Sequence, residues 1–255
     1  MQNKFQSISR IIKVAIKFIN KFHPRYLSLL IPDKDIVKRS RVSKKDIFII
    51  TSCLNPEDGN NYHNHNPSHQ LHDRLHETVL GIQSIRINFS GAYIILLDNS
   101  KVAKDTEILI KNSVDEYYNY YESSYIKTSR KHFNKGVPQF AKLVKFCSEN
   151  HENYVADTFH FMSARYQLTA NITQNLQESG SYFLYNEKFN NVSTRYYFFK
   201  QQSLRSIQKA FKKTLYCAIA GNSVEDALFL FAPDFKKVEY LGIKGMINGI
   251  QPIEE

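Results

Sequence analysis

Between Asp46 and Ser100 the sequence spells a strand, a helix and a second strand, and this unit constrains the fold more than any other stretch. An apolar, β-branched run over 47–54 contains Thr51-Ser52, and a polar loop over 55–67 follows it. Leu71, Leu75, Val79, Ile82 and Ile85 then recur at three- and four-residue steps, which predicts a helix over 69–86. Ser90-Gly91 turns the chain into a second apolar strand from Tyr93, ending in Asp98-Asn99-Ser100. A strand, helix and strand of these lengths form the right-handed crossover that parallel sheets require. Polar residues at the ends of such strands fall on the carboxyl edge of the sheet, where open α/β folds bind ligands.

The rest of the chain extends this pattern and then changes it. Helices are expected over 105–122, with a Tyr-rich end, and over 138–150; a buried strand over 154–162 carries His160. Two antiparallel strands over 182–185 and 192–200 come next, then helices over 203–218 and 224–231 and a short last strand over 238–243. Alternation followed by a hairpin predicts an α/β fold with a mixed, mostly parallel sheet. At 255 residues this is one domain, expected over 46–255, with a basic extension over 1–45.

The charge sits mainly in that extension. Residues 1–50 hold twelve Lys/Arg against three Asp, a net of +9 out of +10 for the chain. Lys13, Lys17 and Lys21 form one helical stripe within an apolar surface that includes Ile12, Ile16 and Ile19, and Pro24 ends the pattern. This pattern fits a basic amphipathic helix on an anionic membrane surface, reached through residues 8–45, and equally a helix packed on the main domain. Charge confined to an extension argues against nucleic acid as the partner. Cys53, Cys147 and Cys217 are odd in number and form no CxxC pair, which fits a reducing cytoplasmic compartment. No run reaches the roughly 18 apolar residues of a membrane-spanning helix, and lysines interrupt what would be the core of a secretory signal.

Several residues can carry chemistry. His63, His65, His69, His72 and His76 are spaced to hold a metal on a helical face, or else belong to a polar loop and exposed helix. Arg74, near the start of the helix at the carboxyl edge, can pair with phosphate or form a surface ion pair. Asp98 can bind a metal or a ribose hydroxyl, or cap the next loop. Ser163 and Arg165 follow the third strand and put a second arginine on the same edge. Ser223 reads as a helix N-cap ahead of Glu225 and Asp226, and a carboxylate there can serve as a general base. GxGxxG, GxxxxGK[ST] and GxSxG are all missing, which argues against a Rossmann dehydrogenase, a P-loop NTPase and an α/β-hydrolase.

Taken in order, Ile49-Ile50-Thr51-Ser52, Arg74 with Glu77, Thr78, Ser84, Ile85 and Arg86, and Asp98-Asn99-Ser100 resemble the start of a group of bacterial and viral glycosyltransferase-like proteins. Asn134-Lys135-Gly136 and Ser163-Ala164-Arg165-Tyr166 are similar to later motifs of that group, with Ala164 in place of its glycine, and the match continues through Thr194-Arg195-Tyr196 and Leu241-Gly242-Ile243. The resemblance implies a single GT-A-like (Rossmann-like) domain that transfers a sugar from a nucleotide-sugar donor to a cell-surface glycan or lipid-linked acceptor, of lipopolysaccharide or capsule type. It implies a cytoplasmic enzyme, peripheral at the inner face of the membrane. Thr51, Ser52, Ser100 and Ser163 would line the donor pocket, with Arg74 and Arg165 offsetting diphosphate charge. Asp98 would bind ribose or a Mn²⁺ or Mg²⁺ ion, although DxD is replaced by Asp98-Asn99-Ser100, and Glu225 would be the base. A degenerate membrane-associated module that kept the fold is the first alternative, and a nucleic-acid-binding protein the second.

Overall fold

The computed structural model describes residues 24–33, 40–55, 71–150, 152–170, 180–187, 189–232, 235–238, 240–247 and 251–254. The basic helix expected over 11–22, and His63, His65 and His69, lie outside the described residues. A short 3₁₀ helix, Pro24–Leu30, precedes β1 (Val42–Thr51), α1 (Leu71–Asn88), β2 (Tyr93–Asp98), α2 (Lys104–Ser113) and β3 (Glu116–Asn119). Next come α3 (Ser124–Arg130), α4 (Gly136–Asn150), β4 (Tyr154–Ser163), β5 (Tyr166–Leu168), β6 (Ser181–Asn186) and β7 (Asn191–Lys200). The chain finishes with α5 (Leu204–Ile219), α6 (Val224–Phe231), β8 (Phe235–Val238), β9 (Ile243–Ile247) and β10 (Gln251–Glu254).

Seven strands form one sheet in the order β3-β2-β1-β4-β7-β6-β8. β3, β2, β1 and β4 are mutually parallel, β7 runs antiparallel to β4 and to β6, and β8 is parallel to β6. This is the mixed, mostly parallel α/β sheet that the sequence predicts. Both faces are covered, which explains the continuous apolar run of β1. Ile47 and Ile49 join Phe140, Phe159 and Phe211 beneath α3, α4 and α5, while Phe48 and Ile50 join Ile82, Ile85 and Ile94 beneath α1.

The structure departs from the sequence reading in several places. β1 begins five residues before Ile47, because Val42 to Lys44 pair with Tyr154 to Ala156 of β4, beyond the reach of β2. Tyr26 and Leu29, from the stretch read as an extension, are buried in the main core. The helix expected over 105–122 ends at Ser113, and its Tyr-rich tail is β3 instead; pairing with β2 lets Tyr118 reach Tyr154 and Asn150, contacts that a helix would not offer. The single strand expected over 238–243 is two strands, β8 in the main sheet and β9 in a second sheet of order β10-β9-β5. Among the described residues no helix is long and apolar enough to cross a membrane.

Candidate functional site

The parallel strands end in register. Thr51 pairs with Leu97 on one side and with Ser163 on the other, so the residues after β1, β2 and β4 meet on one edge. Ser52 N donates to Leu97 O at 2.9 Å, and Thr51 O accepts from Ala164 N at 3.0 Å. Of the residues expected to act, Thr51, Ser52, Arg74, Asp98, Ser100, Ser163 and Arg165 are all brought to this edge.

Asp98 organises it. The side chain is fully buried, and its Oδ1 accepts from Ser52 Oγ at 2.6 Å, Leu54 N at 3.1 Å and Ser100 Oγ at 3.2 Å. Its Oδ2 accepts from Ser100 N at 2.9 Å. These bonds pull the chain out of β1 after Thr51, so the strand expected to reach Leu54 stops short. Ser100 Oγ passes the network on by accepting from Asn55 N at 2.9 Å. Ser52 and Ser100 are themselves buried and engaged with Asp98.

Two cations grip the same turn from opposite layers. Lys142, almost completely buried on α4, donates from Nζ to Ser52 O and, at 3.0 Å, to Asn99 Oδ1. Arg74 on α1 donates from Nη1 to Cys53 O at 3.4 Å, and its Nε is buried with no hydrogen-bond partner among the described residues. Burial lowers the Lys142 pKa; Asp98 and Cys53 counter this and Arg74 adds to it. Burial raises the pKa of the Cys53 thiol between them, so it is a neutral neighbour. Lys142 was missed by the sequence reading. Its one signal is a lysine flanked by Ala141 and Leu143 inside the apolar pattern of a core helix.

Arg165 occupies a different setting. It lies in the turn between β4 and β5, half-buried, and among the described residues no carboxylate pairs with it. The turn is held closely by α1, because a Cβ on Gly81 would stand 2.8 Å from Tyr166 O and 3.2 Å from Ala164 O. A second cation, Lys135, is near enough to sense its charge. Burial, and then the Arg165 guanidinium, hold the exposed Lys135 ammonium below its usual range. Lys135 is placed there by its neighbours: Asn134 Nδ2 donates to Asn222 O at 2.7 Å, Asn134 Oδ1 accepts from Gly136 N at 3.0 Å, and a Cβ on Gly136 would collide with Val224. The Asn134-Lys135-Gly136 step thus docks α4 against the start of α6.

Glu225 stands at that start. Its Oε1 accepts from Thr194 Oγ1 at 3.0 Å and its Oε2 from Ser223 Oγ at 3.0 Å, while Ser223 Oγ caps α6 by accepting from Asp226 N at 3.1 Å. Tyr196 of β7 pairs with Met162, so Thr194 lies just past the end of β4.

The donor set can be tested against a divalent cation, which prefers several carboxylate, carbonyl and water oxygens. Asp98 is shut from solvent with four protein donors, and the end of β4 presents a guanidinium instead of an acid. Among the described residues no group of three His, Cys, Asp or Glu side chains is placed to hold a metal. The described residues therefore do not fit a Mn²⁺ or Mg²⁺ site centred on Asp98.

No family model and no curated protein matches this sequence. Among solved structures the chain is similar to the WbbM bifunctional glycosyltransferase, at 11% identity and a TM-score of 0.46, over 80% of this chain and 40% of that one. It is similar to the CTP:phosphocholine cytidylyltransferase LicC of Streptococcus pneumoniae, at 12% identity and 0.44, over 81% and 95% of the two chains. It is also similar to the mannosyltransferase Ktr4p of S. cerevisiae, at 10% identity and 0.42, over 88% and 76%. The chain spans about two fifths of the bifunctional protein.

Proposed function

We propose that this protein is a glycosyltransferase that uses a nucleotide-sugar donor. The observation that carries the reading is that Arg74 and Arg165 are brought to one carboxyl edge, next to a turn that Asp98 and Lys142 hold in place. A diphosphate is the ligand class such an edge suits, because guanidinium groups pair bidentately with phosphate oxygens. Thr51 and Ser163 line the floor between the arginines, while Asp98, Ser52 and Ser100 act as positioning residues.

In the proposed reaction an acceptor hydroxyl attacks the anomeric carbon of the donor sugar. The new glycosidic C–O bond forms as the C–O bond to the diphosphate breaks, and the nucleoside diphosphate leaves with the bonding electron pair. Charge grows on the leaving oxygens, and fixed cations aimed at that position lower the barrier. The hydroxyl proton passes to Glu225, which exchanges its Thr194 contact for the acceptor. The acceptor is proposed as a surface glycan or its lipid-linked precursor, with the basic N-terminal segment holding the enzyme at the cytoplasmic face of a membrane.

Thermal melting and calorimetry with UDP, GDP, CDP and CMP test the reading, since a ligand that binds only the folded state raises its apparent stability. One nucleotide is expected to raise the melting temperature, and Arg74→Ala and Arg165→Ala to abolish the rise while leaving the protein folded. A folded protein that none of the four stabilises would sink the proposal.

A further inference from the structure

Beyond residue 50 the chain is close to neutral in sum, but its charge is not evenly spread. α5 carries Arg205, Lys209, Lys212 and Lys213 and no acidic residue. On an α-helix these positions fall within about 100° of arc, and all four side chains are exposed, while Ile207, Phe211 and Leu215 are buried in the core. Among the described residues no carboxylate pairs with any of the four. Like charges four apart on a helix repel one another, so the stripe weakens the helix that carries it and serves nothing inside the fold.

An apolar border adjoins the stripe. Tyr216, on the same arc, donates from its hydroxyl to Leu30 O at 2.9 Å, which seats the segment over 24–33 beside α5. Lys212 Nζ lies 6.0 Å from the centre of the Tyr216 ring. The segment is fastened from within: Tyr125 Oη donates to Leu29 O at 3.2 Å, and the buried Lys145 Nζ donates to Asp33 O and Oδ1, both at 3.0 Å. On its outer side Leu27 is 55% and Ile31 80% exposed. Cations beside exposed aliphatic groups suit a bilayer with anionic headgroups. Leu27 and Ile31 give a nucleic-acid base nothing to stack on.

We infer that the folded domain docks on an anionic phospholipid surface through α5 and the 24–33 segment. Arg205, Lys209, Lys212 and Lys213 meet the headgroup phosphates, and Leu27 and Ile31 reach the acyl boundary. This extends the membrane part of the reading above from the N-terminal basic run to a face of the domain, and it does not depend on which donor the edge binds. The last turn of α5 is tied to the step before α4, since Ala218 O accepts from Asn134 Nδ2 at 3.2 Å and Ile219 O from His132 Nε2 at 3.1 Å. Docking by this face therefore fixes how the catalytic domain stands on the bilayer that would hold a lipid-linked acceptor.

The test is sedimentation of full-length protein with vesicles of phosphatidylcholine, alone or mixed with phosphatidylglycerol, at low and high salt. Binding should require the anionic lipid and weaken with salt. Arg205→Gln, Lys209→Gln, Lys212→Gln and Lys213→Gln combined should lower partitioning about a hundredfold or more, at about fivefold per cation. Ile31→Ser should lower it about fivefold. Melting curves check that each variant is folded. No binding to anionic vesicles, or binding unchanged in the combined variant and lost only on replacing Lys13, Lys17 and Lys21 with glutamine, would overturn the inference. A single-stranded RNA that binds the protein more tightly than the vesicles do, and is released by the same combined variant, would also overturn it. Vesicle binding through α5 in a folded protein that no nucleotide stabilises would support it and sink the donor reading alone.

Discussion

The Asp98 corner and the Arg165 corner share one sheet edge, separated only by β1, and they are built on opposite plans. At Asp98 a buried charge meets donors from Ser52, Leu54 and Ser100, and Lys142 approaches from the layer beneath. At Arg165 a half-buried guanidinium lies in the turn after β4, with no salt bridge to a carboxylate among the described residues. A closed corner spends its polar groups on holding the backbone in place. An open corner leaves them for a ligand. The contrast predicts that Asp98 governs stability and Arg165 governs binding, even though motif order puts the two residues in the same functional set.

The largest effect should come from Asp98→Ala. Removing one partner from a buried, hydrogen-bonded charge network costs about 3–5 kcal/mol, and here it strands four donors and leaves Lys142 uncompensated. Urea denaturation should show this loss directly, and a change below about 1 kcal/mol would break the contrast. Lys142→Met comes next. It keeps the packing of α4 but removes the donor to Ser52 O and Asn99 Oδ1, at about 2–3 kcal/mol for a charged buried hydrogen-bonding group. Nucleotide affinity in this variant should fall only as far as the turn loosens.

The third prediction separates acid effects in the core from both corners. His160 is stacked on Phe48 at a ring distance of 4.2 Å, with Nε2 3.0 Å from Asp46 and Nδ1 2.8 Å from the Tyr196 hydroxyl. Burial holds its pKa below the usual 6.5, against the opposing pull of Asp46. The unfolded chain therefore takes up this proton first, so stability is fully present above about pH 6.5 and declines as pH falls toward the depressed folded value. The slope is at most about 1.4 kcal/mol per pH unit. Melting temperatures from pH 7.5 to pH 5.5 should show the decline in wild type and in Arg165→Ala, and a flatter profile in His160→Gln. The smallest effect on stability belongs to Arg165→Ala itself, within about 0.5 kcal/mol, alongside the loss of nucleotide binding. A large destabilisation would mean that the open corner is structural after all.

Much of the fold was legible because its signals are local. The periodicity of α1, the apolar runs of β1, β2 and β4 and the β6–β7 hairpin each lie within a few residues of the observed elements. The failures share a cause. The tyrosines of β3 have no periodicity that separates a strand from the end of a helix, and only the free edge of β2 decides between them. β9 follows the same rule, since its partners are β5 and β10 and not the main sheet. The site divides in the same way. Arg74, Asp98 and Arg165 could be named because strand ends and helix starts announce a carboxyl edge. Lys142 could not, because a lysine among apolar residues gives no sign of which carbonyl it will meet.

The sequence by itself determined the α/β class, the parallel crossover and the set of polar residues delivered to one edge, because hydrophobic period and turn residues act over a few positions. Only the tertiary structure decided which of those residues are closed and which are open. Asp98 becomes a positioning residue through bonds to Ser52 and Leu54, more than forty positions away in the chain, and the Asn134-Lys135-Gly136 step reaches the start of α6 only because Gly136 lets α4 dock on Val224. A charge is satisfied or left waiting by what surrounds it in three dimensions, and distant segments supply those surroundings.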